Sequence, residues 1–238
     1  MHFSVAVITK TGTQKEIDKL LAPYNEALEV EPYISMTKAE LIETGKRLKR
    51  DALKKIKPLD LNDMTVLNLK TDEEFYDYMK DDSGLYDKEG NELSTYNPNA
   101  KWDWYETGGR WKNFLKRTDG TRHDSLRIKD CDFSPKEEVI KYFSELWDQV
   151  VEGKDPESER KFILVASPDY YRSNYGTREN YVKLKSSFKT AAVLFSNGTW
   201  LEPEYTQDGE REWERDYEKN VLERLNPDEF ITIVDCHI

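Results

Sequence analysis

The apolar positions at the two ends of the chain follow the pattern of buried β-strands. Residues 2–9 and 229–238 are rich in β-branched side chains, and their apolar residues fall on both sides of an alternating strand. Strands that are apolar on both faces are usually central in a sheet. We therefore predict a single α+β domain with one sheet, in which the N- and C-terminal strands are adjacent and central and helices pack on the sheet.

Between these strands, apolar residues recur at helical intervals. This spacing predicts helices over residues 13–28, 37–57, 71–82, 134–153 and 209–225. Thr37 and Glu40 form a capping-box pattern at the second helix, and Pro23 interrupts or ends the first. In the fourth helix we expect Ser134 as the N-cap and Pro135 at the first helical position.

Turn residues divide the remaining segments. Asn197-Gly198 is typical of a β-hairpin turn and predicts a hairpin over 189–203, and Asp119-Gly120 has the same character. Residues 160–167 have the pattern of a buried strand, whereas residues 169–181, with four Tyr and two Arg, predict a long loop. The most charged stretch, 29–100, is a candidate helical insertion within a domain that spans residues 1–238.

Composition narrows the class of protein. Charged residues make up 35% of the chain and hydrophobic residues 37%, but aromatic residues reach 12%. Since disordered chains contain few aromatic residues, we expect a folded protein with an aromatic core. The formal net charge of −11 argues against general nucleic-acid binding, which requires a basic surface. The same charge fits plain solubility or docking onto a basic partner.

The chain carries no signal that predicts export or a membrane. The first residues lack the basic and apolar regions of a signal peptide, and no apolar run approaches the roughly 20 residues that cross a bilayer. Cys131 and Cys236 do not form a CxxC motif. We therefore expect a cytoplasmic protein with reduced thiols.

The most unusual segment lies between Trp102 and Trp111, which holds three of the six Trp residues beside a Gly-Gly pair. If the segment is extended, Trp102 and Trp104 share one face and Asp103 and Tyr105 share the other. Gly108 and Gly109 permit a sharp turn, after which Arg110 is placed to meet an anion or an aromatic ring. Together with Trp200, these residues predict a pocket for a nucleotide-like ligand, whose lining comprises Trp102, Asp103, Trp104, Tyr105, Gly108, Gly109, Arg110, Trp111 and Trp200.

A second interpretation makes the same segment a corner of the core. The Trp side chains are then packed inside, Arg110 is paired with Asp103, and Trp200 covers the end of the sheet. Both interpretations are open on the sequence alone.

The last strand holds the residues that suggest acid–base chemistry. Asp235 and His237 lie two positions apart and share a face of the strand, so the carboxylate could orient an imidazole as a base. His2, near the start of the first strand, is expected close to His237. Metal-binding spacings such as HExxH are absent, as are the glycine-rich nucleotide motifs and GxSxG, so we expect no metal and no cofactor.

Four segments together resemble a family of uncharacterised proteins encoded by bacteriophages and prophages. They are "MHFSVAVIT", "NPNAKWDWYETGGRW", "NGTW" and the terminal "VDCHI". The resemblance covers about a fifth of the chain and implies a phage or prophage setting and the host cytoplasm. It marks as positions to test first Trp102, Asp103, Trp104, Tyr105, Gly108, Gly109, Arg110, Trp111, Asp235 and His237.

The sequence leaves two main hypotheses of function. The first is a phage accessory protein that binds a host protein or a small anionic ligand through the aromatic and Gly-Gly-Arg segment, with counter-defence as one role. The alternative is a nucleotide or phosphoester hydrolase or transferase that uses His237 and Asp235. A structural virion protein is disfavoured because neither a repeat nor a coiled-coil pattern occurs, and the oligomeric state is open.

Overall fold

A computed structural model describes residues 1–55, 60–155, 159–163 and 166–238. Across these residues the chain divides into two compact units, one formed by Met1–Asn25 with Lys101–Ile238 and the other by Glu26–Ala100. The second unit overlaps the charged stretch 29–100 that the sequence marks as an insertion. The predicted α+β class is confirmed.

The described residues form eight α-helices and eleven strands, numbered here in chain order. The strands are β1 (His2–Thr9), β2 (Tyr33–Met36), β3 (Leu85–Tyr86), β4 (Glu92–Ser94), β5 (Trp104–Thr107), β6 (Leu115–Lys116), β7 (Arg122–His123), β8 (Ser125–Arg127), β9 (Ala192–Leu194), β10 (Trp200–Leu201) and β11 (Phe230–His237). The helices are α1 (Gln14–Leu21), α2 (Lys38–Lys54), α3 (Leu61–Asn68), α4 (Asp72–Met79), α5 (Glu137–Val150), α6 (Pro168–Tyr175), α7 (Arg178–Ser186) and α8 (Gln207–Asn220).

The first unit contains the main sheet, whose strand order is β10-β9-β1-β11-β5, with β8 also paired to β11. β1 and β11 run antiparallel along their whole length, whereas β1 and β9 are parallel. The prediction that the terminal strands are adjacent and central is therefore confirmed. Two smaller sheets accompany the predicted one, β2-β4-β3 in the second unit and β6-β7 in the first.

Both faces of the main sheet are covered, which explains why β1 and β11 are apolar on both sides. Ala6 and Ile8 contribute to one core cluster together with Tyr217 of α8. Val5 and Val7, on the opposite face, belong to a second cluster that includes α1. Burial of this apolar area from water is the main stabilising term for such a sheet.

Helices α5, α6 and α7 form a third, aromatic cluster in the first unit. Trp147 packs there with Tyr171, Tyr175 and Tyr181, all of them buried. The loop predicted over 169–181 is therefore wrong. Two short helices replace it, separated by Gly176 at φ 72° and each capped by a hydroxyl side chain.

Two further predictions in this region are corrected. Helix α5 begins at Glu137, because Ser134 donates its hydroxyl to Asp132 and Lys136 takes the N-cap position. In the predicted strand 160–167, residues 160–163 and 166–167 have no strand pairing, and Ile163 is 78% exposed. Residues 164–165 lie outside the described part of the chain.

The second unit has its own small core, in which Ala52, Val66 and Phe75 pack between α2, α3 and α4. Thr37 and Glu40 form the predicted capping box at α2, which ends at Lys54, and residues 56–57 of the predicted helix lie outside the described residues. The three-stranded sheet and three helices make this unit α+β, where the sequence pattern indicated mainly helix.

Candidate functional site

Three neighbouring strands place polar and aromatic side chains together on one face at one end of the main sheet. His2 of β1 lies opposite His237 of β11, and His237 lies opposite Trp104 of β5. In the next row, Asp235 lies opposite Glu106. Since residues directly opposite in antiparallel strands project to the same side, these side chains share a surface. We call the surface formed by His2, Asp103, Trp104, Arg110, Asp235 and His237 the histidine face.

The first imidazole of the histidine face is held by a buried carboxylate. His2 Nδ1 lies 2.8 Å from Asp235 Oδ1, and the side chain of Asp235 is only 2% exposed. The other oxygen of Asp235 accepts a 2.9 Å hydrogen bond from the backbone N–H of Arg110. A carboxylate accepts and does not donate, so Nδ1 of His2 carries the proton. Nε2 of His2 then faces away from Asp235.

The Gly-Gly pair explains how the backbone of Arg110 reaches Asp235. Gly108 and Gly109 both have positive φ, 75° and 46°. A Cβ at Gly109 would collide with the Cβ of Asp235, and a Cβ at Gly108 would lie 2.7 Å from Asp124 Cγ. Only glycine allows both the turn and this close approach. The glycines therefore serve to bring a hydrogen-bond donor to the buried carboxylate.

The second imidazole is held in the same way by a different carboxylate. His237 Nδ1 lies 2.9 and 3.1 Å from the two carboxylate oxygens of Asp103. The backbone is also tied, since Asp103 N–H donates to the carbonyl oxygen of His237 at 3.0 Å. The hydrogen bond from His237 lowers the pKa of Asp103 below its ordinary value. Asp103 therefore stays ionised at neutral pH and fixes the ring of His237.

The two rings lie side by side next to an exposed indole. The ring centroids of His2 and His237 are 4.9 Å apart, and the indole of Trp104 lies 5.7 Å from the first and 6.4 Å from the second. Trp104 is 47% exposed, and the His237 side chain is 39% exposed. The indole and the ring of His237 are therefore open to solvent, whereas the side chain of His2 is only 22% exposed. Nε2 of His237 lies 3.3 Å from the N-terminal ammonium of Met1.

The structure separates Trp102 and Tyr105 from this surface. Trp102 is buried, donates its Nε1–H to the carbonyl oxygen of Leu21 at 3.1 Å and packs edge-on against Tyr105. The prediction that Trp102 and Trp104 share a face is wrong, because β5 begins only at Trp104 and the alternation does not extend back to Trp102. Burial and a hydrogen bond to Asp18 raise the pKa of Tyr105 to about 12.

The remaining residues of the predicted pocket lie in different places. Asp103 is bonded to His237, and the guanidinium of Arg110 makes neither an ion pair nor a hydrogen bond within the described ranges. Trp111 packs against the core cluster of α8 and lines a separate cavity. Trp200 packs against Tyr24, with ring centroids 4.9 Å apart. The segment thus combines a core corner, at Trp102, with an exposed Trp104 and Arg110.

Other chemistry has less support among the described residues. Burial raises the pKa of Cys236 to about 12, so its thiol stays protonated and unreactive at neutral pH. No group of three or more His, Cys, Asp or Glu side chains in the described ranges could hold a metal ion. Nor does any helix there have the length and apolar character to cross a membrane.

The sequence suggested that Asp235 orients His237, and the structure shows that this pairing is wrong. It placed Asp235 and His237 on one face, but the ring that Asp235 holds belongs to His2, and Asp103 holds His237. Comparison of the chain with protein-family models, curated protein sequences and solved structures gives no match. The geometry of the histidine face is therefore the observation that bears on function.

Proposed function

We propose that the histidine face binds a small phosphate-bearing, nucleotide-like ligand. The observation that supports this most strongly is the pair of imidazoles, 4.9 Å apart, beside the exposed indole of Trp104. Imidazolium groups bind phosphate oxygens by charge-assisted hydrogen bonds, and an exposed indole stacks on a base. Arg110 adds a guanidinium whose donors are unused within the described residues.

The groups around the two rings carry charges of both signs. Asp103, Asp235 and Glu106 supply carboxylates, and the N-terminal ammonium of Met1 lies 3.3 Å from His237 Nε2. An anionic ligand is therefore expected on the side of Nε2 and the Met1 ammonium, away from the carboxylates.

Phosphoester cleavage or transfer at the same place is the second candidate function. It is favoured by the fact that both imidazoles use Nδ1 to contact a carboxylate. This leaves Nε2 of His2 to handle a proton, and Nε2 of His237 lies 3.3 Å from the N-terminal ammonium of Met1, with which it can exchange one. One ring would take the proton of an attacking water or hydroxyl, and the other would give a proton to the leaving oxygen. Asp235 and Asp103 would hold the rings and stabilise their protonated forms.

A phage or prophage role, in the host cytoplasm, extends this proposal. The resemblance of four sequence segments supports it, and the net charge of −11 is compatible with docking onto a basic host protein. Binding of a small nucleotide-like ligand, rather than of a nucleic acid, fits the same acidic surface. A counter-defence role would follow if that ligand were a host signal.

The experiment uses thermal shift and mass spectrometry on the purified protein. Nucleoside mono-, di- and triphosphates and cyclic nucleotides are added singly, and each is analysed after incubation. A ligand recovered intact that raises the melting temperature supports binding, and a cleaved ligand supports the second candidate. If none of these compounds is changed or raises the melting temperature, both functions are rejected.

The three histidines provide a matched set of variants. His2→Gln and His237→Gln should each remove most of the thermal shift, whereas His123→Gln, whose ring contacts Thr121 outside the histidine face, should leave it unchanged. If cleavage is observed, His237→Gln should lower its rate by about 10²–10⁴. An equal loss in all three variants would show that the effect does not come from the histidine face.

A further inference from the structure

A second candidate ligand site lies in the same unit and shares no residue with the histidine face. It is a cavity of about 320 Å³, a size typical of small-molecule sites. Its walls come from β6, the segment 131–136, the start of α5 and the end of α7. We call it the lysine cavity, after four of its lining residues, Lys116, Lys136, Lys185 and Lys189.

Aromatic side chains form much of the remaining wall. Phe188 lies with its ring centroid 5.5 Å from that of Phe114 and 4.9 Å from that of Phe133. Trp111 lines the same cavity and, like these rings, packs against the core while staying partly exposed. Such a wall favours a flat, apolar body over a sugar or a hydrated ion.

Two of the four lysines already have carboxylate partners. Lys116 Nζ lies 2.5 Å from Asp132 Oδ2, and Lys185 Nζ lies 2.6 Å from Glu214 Oε1. Asp132 is the one acidic residue among the lining residues. These two ammonium groups are therefore neutralised without a ligand.

The other two lysines have no carboxylate partner within the described residues. Lys136 Nζ lies 5.0 Å from the ring centroid of Phe114, and Lys189 Nζ donates to the carbonyl oxygen of Leu184 at 2.8 Å. Both side chains are partly buried, and burial lowers the pKa of each below its ordinary value. For Lys136, the charge of Arg122 lowers the pKa further and that of Glu138 raises it. For Lys189, the charge of Glu214 raises the pKa and that of Lys185 lowers it.

We propose that the lysine cavity binds a small organic anion with a flat aromatic body, whose negative group pairs with Lys136 and Lys189. Two partly buried ammonium groups without a counter-charge are unfavourable in the empty cavity, and a bound carboxylate, sulfonate or phosphate would relieve this. The excess of positive charge is local, because the whole chain has a net charge of −11. The ring walls would bury the aromatic body of the ligand.

The first test compares an anion with its neutral analogue. Isothermal titration calorimetry measures the binding of 2-naphthoate and of 2-naphthamide to the full chain. The naphthoate should bind at least about tenfold more tightly than the amide, since only the anion pairs with the ammonium groups. Equal affinities, or no binding of naphthoate and of naphthalene-2-sulfonate at about millimolar concentration, would overturn the proposal.

Variants then locate the site. Lys136→Gln and Lys189→Gln should each weaken naphthoate binding about tenfold or more, and Lys136→Arg should restore most of it because it keeps the charge. Lys219→Gln, on the exposed side of α8 and outside the cavity lining, is the matched control and should bind as the wild type does. If both cavity variants keep wild-type affinity and melt as the wild type does, the proposed pairing is rejected.

Two further measurements separate this site from the histidine face and from misfolding. His2→Gln and His237→Gln should leave naphthoate affinity unchanged, because neither residue lines the lysine cavity. The proposals for the two sites are therefore tested independently. Phe188→Leu, which removes the flat wall but no charge, should weaken the binding of naphthoate and naphthamide alike. A loss of naphthoate binding in the histidine variants would assign the ligand to the other surface and overturn the proposal.

Discussion

Asp235 is the residue on which the histidine face depends most. It is buried, and its two oxygens accept from the ring of His2 and from the backbone N–H of Arg110. Both donors come from segments remote in sequence, so this single carboxylate connects the first strand, the last strand and the turn after β5. Removal of one acceptor therefore leaves a buried donor without a partner.

Asp235→Asn should lower the free energy of unfolding by about 1–3 kcal/mol, because the amide presents a donor where Arg110 or His2 already donates. Urea denaturation at neutral pH measures the loss. Asp228→Asn, whose side chain is 75% exposed in the wild type, is the control and should change stability by less than about 0.5 kcal/mol. Similar losses of stability in the two variants would show that the buried hydrogen bonds of Asp235 do not contribute more than those of an exposed carboxylate.

The contact between Asp103 and His237 should be visible as a titration. The hydrogen bond from His237 lowers the pKa of Asp103 below the ordinary value of 3.8. Because the pKa is lower in the folded state than in the unfolded state, the contact stabilises the fold at pH values above 3.8. This stabilisation is lost as the pH falls through the lowered pKa of the folded state. In His237→Gln, carbon NMR of the Asp103 carboxyl should show its pKa move upward, and an unchanged pKa would contradict the assigned contact.

At this scale the sequence predicted part of the site. Period-two alternation correctly placed Asp235 and His237 on one face, because both lie inside a long regular strand. The closeness of His2 to His237 also followed from the predicted pairing of the terminal strands. Which carboxylate holds which ring depends on strand register and on the segment before β5, and no local pattern encodes it. The predicted orientation of Trp102 was wrong because this residue lies two positions before the start of β5, where strand alternation does not apply.

At the scale of elements, short helices and helix starts were the hardest to predict. The hairpin turns at Asp119-Gly120 and Asn197-Gly198 were predicted correctly, since β6 pairs with β7 and β9 with β10 across them. Helices α6 and α7 begin at hydroxyl caps, Ser167 and Thr177, and meet at Gly176, but their Tyr-rich composition suggested a loop. The N-cap predicted at Ser134 was wrong in the other direction. The sequence there has a good capping pattern, but the Ser134 hydroxyl donates to Asp132 instead of capping α5. Tertiary packing of the Tyr side chains around Trp147 decides the structure here, and local propensity does not.

The turn at Gly108-Gly109 is an element whose demand for glycine can be measured. Gly109→Ala should lower stability by about 2–4 kcal/mol, because a Cβ there adds a collision with Asp235 to the strain of a positive φ. Gly153→Ala is the matched control, with φ 66° and open space around its Cβ, and should lower stability by about 1 kcal/mol. Thermal unfolding of both variants provides the comparison, and equal losses would remove the collision from the explanation.

At the scale of the whole molecule, the second unit is inserted into the first. The chain leaves the first unit at Asn25 and re-enters it at Lys101, and these ends meet there. The N–H of Lys101 donates to the carbonyl oxygen of Tyr24 at 2.8 Å, and Asn25 forms an isolated parallel bridge with Trp102. A short linker could therefore join the two ends without stretching either.

Replacement of residues 26–100 by a short Gly-Ser linker should give a folded protein that keeps the histidine face. The first unit has its own core clusters, and the new connection closes a smaller loop than the natural one. Circular dichroism with a cooperative thermal transition would show folding, and the NMR signals of His2 and His237 would report the site. An unfolded product would mean that the first unit requires the inserted one.

The pairing of β1 with β11 also determines when the histidine face can form during synthesis of the chain. His2 and Asp235 are 233 residues apart in the sequence, so their contact belongs to the most non-local class that a chain of this length allows. A ribosome that adds roughly 5–20 residues per second needs on the order of ten to fifty seconds to connect them. Throughout that interval the nascent chain carries His2 without the carboxylate that orients it, and the paired imidazoles first exist when β11 has been synthesised and pairs with β1.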